Sequence, residues 1–146
     1  MNNSRILITG ILVLALSMMA FQSVREQAQP RTMSLVPMMR LLLDDMYTID
    51  EGLYTHNYFM IEEGAKAIAE HPVMTEEDKK LVKTALEEDM KRFVNFDMIV
   101  HHHADSLAEA ARAQKMNEVL RHYRIVQQGC VDCHSNFRTT IIEARK

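Results

Sequence analysis

Met39, Leu42, Met46, Ile49 and Leu53 recur at steps of three, four, three and four, so a helix over this stretch carries them as one apolar stripe. This period constrains the fold more than any other feature, because it returns in each later segment. The first helix starts near Ser34, a good N-cap residue, and tolerates Pro37 in its first turn. Asn57 caps a second helix, "YFMIEEGAKAIAEH", which stops before Pro72. A third opens at "TEED", where Thr75 and Asp78 have the spacing of a capping box. It runs to about Ala113, with Val82, Leu86, Phe93, Val100, Leu107 and Ala111 near one face. After a polar break at Gln114 and Lys115, the fourth spans Met116 to Ala144. Its stripe is Val119, Tyr123, Val126, Cys130, Cys133, Phe137 and Ile141. No segment shows period-two alternation, and 4 glycines, 3 prolines and no tryptophan in 146 residues suit helix. Four amphipathic helices with short links predict an all-α fold, an antiparallel four-helix bundle in one domain.

The opening residues belong to a different class. "MNNSRILITGILVLALSMMAFQS" has one positive charge, Arg5, an apolar run from Ile6 to Phe21, and small or polar residues behind it. This is the pattern of a secretory signal peptide. Residues 1–28 are read as the leader, cleaved somewhere between 20 and 28, and 29–146 as the functional domain. The apolar run falls a little short of the roughly 20 residues a membrane span needs, so a membrane is involved only if the leader is retained. A cut after Ala28 removes Arg5, Arg25 and Glu26, which takes the net charge from −3 to −4. That sign gives a nucleic-acid partner no electrostatic support. Export also means an oxidising compartment.

The two cysteines of the chain, Cys130 and Cys133, stand together in "QQGCVDCHSNFR" with His134 directly behind them. Three residues apart on a helix, both thiols point to one side, and His134, four from Cys130, shares it. Haem c needs this arrangement: two thioether bonds hold the porphyrin and the adjacent imidazole reaches the iron. Two other readings compete. A redox dithiol would place C-x-x-C at a strand-to-helix junction of a βαβ fold, and no such strand is legible. Half a zinc site would need further ligands, and no second pair of cysteines or well-spaced histidines supplies them.

The extended string Cys130-Val131-Asp132-Cys133-His134-Ser135-Asn136-Phe137-Arg138, near the C-terminus of an exported helical chain, resembles the class II c-type cytochromes. These are cytochrome c-prime and its low-spin relatives of the cytochrome c-556 type. Their pattern is C-x-x-C-H, two residues, then an aromatic–Arg pair on the fourth helix. The resemblance spans Ser34 to the end and is most specific at this motif. It implies one covalent haem c on the C-terminal helix, His134 as the proximal iron ligand, and a periplasmic location. It also implies, commonly, a homodimer through helices one and two, although neither shows a decisive exposed apolar patch.

In that family helix one covers the distal face of the haem. The low-spin members resemble a Met followed by apolar residues at three, seven and ten positions onward. Met39 fits, with Leu42, Met46 and Ile49 behind it, whereas the seventh residue after Met38 is Asp45. Met39 is therefore the expected second axial ligand, against the plainer reading of a core filler among 12 methionines. Leu42, Met46, Tyr123 and Phe137 are expected to pack the haem, and Arg138 to lie near its proximal face. The implied function is single-electron transfer to redox partner proteins, without enzymatic chemistry. The alternative is a five-coordinate protein that binds nitric oxide or other small gases at an open distal face. The run His101, His102, His103 cannot converge on one ion, because consecutive helical residues diverge by about 100°. His101 and Asp97 suit a surface pair, and His122 is expected at the surface.

Overall fold

The computed structural model describes residues 32–146, so the expected leader lies outside the described residues. The described chain is all-α apart from two short strands. In order it runs β1 (Thr32–Met33), α1 (Leu35–Tyr54), α2 (Tyr58–Ala69), β2 (Val73–Met74), α3 (Glu76–Leu86), a 3-10 turn (Glu87–Asp89), α4 (Met90–Arg112) and α5 (Met116–Ala144). Backbone packing joins α1 to α2, α2 to α4, α4 to α5 and α3 to α5. No described helix is long and apolar enough to cross a membrane.

α2 and α3 start where Asn57 and Thr75 cap them. Asn57 Oδ1 accepts from the backbone N–H groups of Phe59 and Met60 at 3.1 and 3.3 Å, satisfying donors that a helix start leaves orphaned. The chain between α1 and α2 turns with His56 at φ 56°, a left-handed conformation. Gly64 lets α1 and α2 approach closely, since a Cβ there would meet the Asp45 carbonyl oxygen and Ile49 Cγ1, each at 2.8 Å.

Three expectations are corrected here. The third helix is not continuous: Glu87 takes φ 42°, a region L side chains rarely adopt, and splits it into α3 and α4. The halves serve different neighbours, α3 lying on α5 and α4 on both α2 and α5. Second, β1 and β2 pair in parallel, Thr32 with Val73 and Met33 with Met74, runs too short to register as alternation. Third, α1 does carry an exposed apolar line, because Val36, Leu43, Tyr47 and Tyr54 stand outward at steps of seven, four and seven, with Tyr54 90% exposed.

The capping box at α3 is half formed. Thr75 Oγ1 accepts from the Asp78 N–H at 3.3 Å, but the Asp78 carboxylate turns elsewhere. Its Oδ2 accepts from the Leu35 N–H at 2.6 Å, at the start of α1 where the Ser34 side chain makes no capping bond. Its Oδ1 is held by the Arg145 guanidinium just past α5. A buried carboxylate thus ties three helix ends together.

The apolar core divides into two clusters. One gathers Ile49, Ile61, Ile68, Ala104, Leu107, Ala111, Val119 and Val126, with Met46, Tyr123 and Cys130 packed against it. The other gathers Leu35, Met38, Val82, Leu86, Phe137 and Ile141, with Met39, Phe93, Phe96 and Cys133 against it. Leu42 packs on both.

Candidate functional site

Cys130, Cys133 and His134 occupy one turn of α5, where the two apolar clusters meet. Gly129 just before them faces α4, since a Cβ there would approach Val100 Cγ2 to 2.9 Å. Both thiols are free and half-buried. Burial pushes both upward, with the Asp97 charge adding to it at Cys133, whose thiol reaches about 11. A redox dithiol needs the opposite, a thiolate favoured by a helix N-terminus or a neighbouring cation. Here the cysteines sit mid-helix beside apolar groups, an environment that suits thioether sulfurs.

His134 is more exposed than the cysteines. Partial burial, and then the charge of Arg138 one turn onward, hold its imidazole below the usual histidine range. The neutral ring, which keeps a lone pair for a metal, is thereby favoured. Arg138 itself is exposed. Phe137 is 2% exposed and meets Phe93 and Phe96 edge-on, with centroids 5.8 and 5.9 Å apart. The Arg92 guanidinium lies 5.7 Å from the Phe137 ring centre. Beside Phe96, a cavity of about 270 Å³ is lined by Lys91, Arg92 and Asn95.

Residues of α1 divide between the same two clusters. Met39 shares a cluster with Cys133, Met46 shares the other with Cys130, and Leu42 touches both. Met39 is half-buried, whereas Met38 is only 3% exposed. Tyr123 is two turns before Cys130, and its hydroxyl donates to Asp50 Oδ1 on α1 while accepting from Gln127 at 3.4 Å. Burial, then the Asp50 hydrogen bond, raise its phenol well above the usual range. The donor set therefore fits a haem c: two thiols at the required spacing, a neutral-leaning imidazole behind them, and the Met39 thioether of α1 packed on the same cluster as Cys133.

His122 corrects a further expectation, because it is buried rather than at the surface. The inward line of α5 runs Val119, His122, Val126, Gly129, one position behind Tyr123 and Cys130. Arg121 donates to its Nε2 at 2.7 Å, so its Nδ1–H donates to His103 Nδ1 at 2.9 Å. Burial, then Arg121, then His103 lower its proton affinity. The unfolded chain consequently binds more protons at this position as the medium is acidified from neutrality. The stability His122 contributes is complete above about 6.5 and is lost as pH falls below that value toward its lowered folded-state value. Urea midpoints of the wild type and of His122→Gln should therefore differ more at pH 7.5 than at pH 5.5. A gap that stays constant would mean the ring does not titrate with folding.

The three consecutive histidines diverge as expected. His101 faces Ala69, His102 is exposed, and His103 meets His122. The expected His101–Asp97 pair forms at 3.8 Å, and His71 joins it from the α2–β2 connection at 3.9 Å to the same carboxylate. Only the Asp97–His101 spacing was legible; His71 lies 26 residues earlier, where no local rule points to it. Asp45 was also missed. Its Oδ2 is buried without a partner, and burial, with Asp44 adding, raises the carboxyl to about 6 against the pull of His71. No family model, curated protein or solved structure matches the chain.

Proposed function

We propose that the chain is a periplasmic class II c-type cytochrome, an antiparallel four-helix bundle that transfers single electrons. Cys130 and Cys133 would hold one haem through thioether bonds, with His134 and Met39 as its axial ligands. The observation that carries this reading is that Cys130 and Cys133, one turn apart on α5, each pack on a different apolar cluster, Cys130 on the one that also takes Met46, Cys133 on the one that also takes Met39, with Leu42 packed on both. The raised thiols speak against the dithiol alternative, and no group of three metal-binding side chains among the described residues includes a cysteine.

When bound, the haem supplies an iron that cycles between Fe(III) and Fe(II). The protein's part is to hold its own groups in place. Neutral His134 offers a nitrogen lone pair, and the nearby Arg138 charge disfavours its protonation. Met39 offers a soft thioether, which favours reduced iron. Phe137, Phe93 and Phe96 keep water from one side. Export by the leader pattern of residues 1–28 supports the location. The net charge is too small to single out a redox partner.

Absorption spectra of the haem-loaded chain, oxidised and reduced, with and without carbon monoxide, test the axial assignment. The wild type should be low-spin in both states and barely altered by carbon monoxide, and Met39→Ala should become high-spin and bind it at once. A wild type that is already high-spin and shifts with carbon monoxide would sink Met39 ligation and leave gas binding as the function.

A further inference from the structure

We infer that His71, Asp97 and His101 form a binding site for a divalent transition metal of the zinc class. This inference is independent of the haem reading. The three side chains come from two places in the fold. Asp97 and His101 are one turn apart on α4, and His71 follows α2 in the connection to β2. Packing of α2 on α4 brings them together, and one donor atom from each lies within 4.8 Å of the others.

The hydrogen bonds decide which nitrogen each ring offers. His101 Nδ1 is 2.7 Å from the Ala69 carbonyl, and His71 Nδ1 is 2.8 Å from the Pro72 carbonyl. A carbonyl oxygen only accepts, so both Nδ1 atoms carry the proton and, in the neutral rings, both Nε2 atoms carry a lone pair. Metal-binding histidines are oriented in the same way, one ring nitrogen donating to a carbonyl or carboxylate while the other ligates. The Nε2 atoms converge on one carboxylate, His71 at 3.9 Å from Oδ1 and His101 at 3.8 Å from Oδ2. The ring centres are 4.6 Å apart.

These contacts are too long for hydrogen bonds, and in the neutral rings they set lone pairs against lone pairs. A cation between them turns that mismatch into attraction. Bonds of about 2.0–2.2 Å in a tetrahedral zinc site put donor atoms about 3.4 Å apart, so the two histidine–carboxylate contacts close by about half an ångström, and the widest donor pair, within 4.8 Å, by at most about 1.4 Å through side-chain rotation. Two imidazoles and a carboxylate suit zinc and its neighbours over calcium or magnesium, which take oxygen donors. Three protein ligands leave a fourth position for water. His71 is 12% exposed and Asp97 48%, so the histidine is held by its surroundings while the carboxylate side opens to solvent.

The test uses the full chain, free of affinity tag and stripped with a chelator, titrated with zinc ion by calorimetry. One zinc per chain is expected. His71→Ala, His101→Ala and Asp97→Asn should each weaken binding at least about tenfold, in line with the sensitivity of metal sites to their supporting groups. His102→Ala, an exposed neighbour, should bind as the wild type does. X-ray absorption at the zinc edge should show two imidazoles. His101 also satisfies the end of α2, so circular dichroism checks each fold, and His71→Ala and Asp97→Asn leave that contact intact. The inference is overturned if the wild type takes up no zinc at millimolar concentration, or if the three variants bind as tightly as His102→Ala.

Discussion

Replacing Cys130 and Cys133 together with serine should abolish covalent haem while leaving the helices intact. A denaturing gel stained for haem peroxidase activity would show a band for the wild type and none for the double variant. The effect is all-or-none because a denaturant removes every non-covalent contact, including any His134–iron bond, and only the thioethers survive it. Single variants keep one thioether and should keep a weaker band. Both sulfurs are half-buried on a helix whose packing rests on Val126, Phe137 and Ile141, so circular dichroism of the double variant should stay helical. A wild type without a stained band, in which the two cysteines instead cycle between dithiol and disulfide, would defeat the cytochrome reading and favour a thiol oxidoreductase.

Asp78→Ala should destabilise the chain by about 3 kcal/mol, read as a fall in the denaturation midpoint. Three losses combine. The Leu35 N–H loses its charged acceptor at the start of α1, a negative charge leaves the positive end of that helix, and Arg145 loses its partner. The Arg145 side chain is 38% exposed, so water compensates part of that last loss. Asp78→Asn keeps an acceptor for Leu35 without the charge and should cost about half as much, while Arg145→Ala should cost about 1 kcal/mol. For a domain of this size the alanine variant should melt about 10 °C lower. A loss below 1 kcal/mol for Asp78→Ala would mean that the carboxylate does not join these helix ends in solution.

What could be read in the sequence was what neighbours in the chain decide. Asn57, Thr75 and the break at Gln114 set helix ends through bonds spanning a few residues. The spacing of Cys130, Cys133 and His134 is a property of one turn. The illegible features depend on groups distant in sequence. "LEEDMKRF" contains only good or fair helix formers, yet the chain breaks at Glu87, and beyond the break α4 packs on α2 as well as on α5. Asp78 had the spacing of a local cap and instead serves a helix 43 residues away. The exposed line on α1 was masked because Met38, Met39, Leu41, Leu42 and Leu43 make that helix apolar nearly all round. His122 differs from Tyr123 by one position, less than periodicity alone can separate.

The Asp78 junction also orders events in time. Its two long-range contacts span 43 and 67 residues, and Arg145 follows all five helices. A chain exported as proposed emerges N-terminus first, so α1, α2 and α3 arrive before the group that completes the junction and wait for the last helix. Loop closures of this length are slow to nucleate compared with a single helical turn. During that interval α5 has not yet docked, and the thiols it carries are still reachable from solvent. The covalent attachment proposed for Cys130 and Cys133 would therefore have its opening before the domain closes over them.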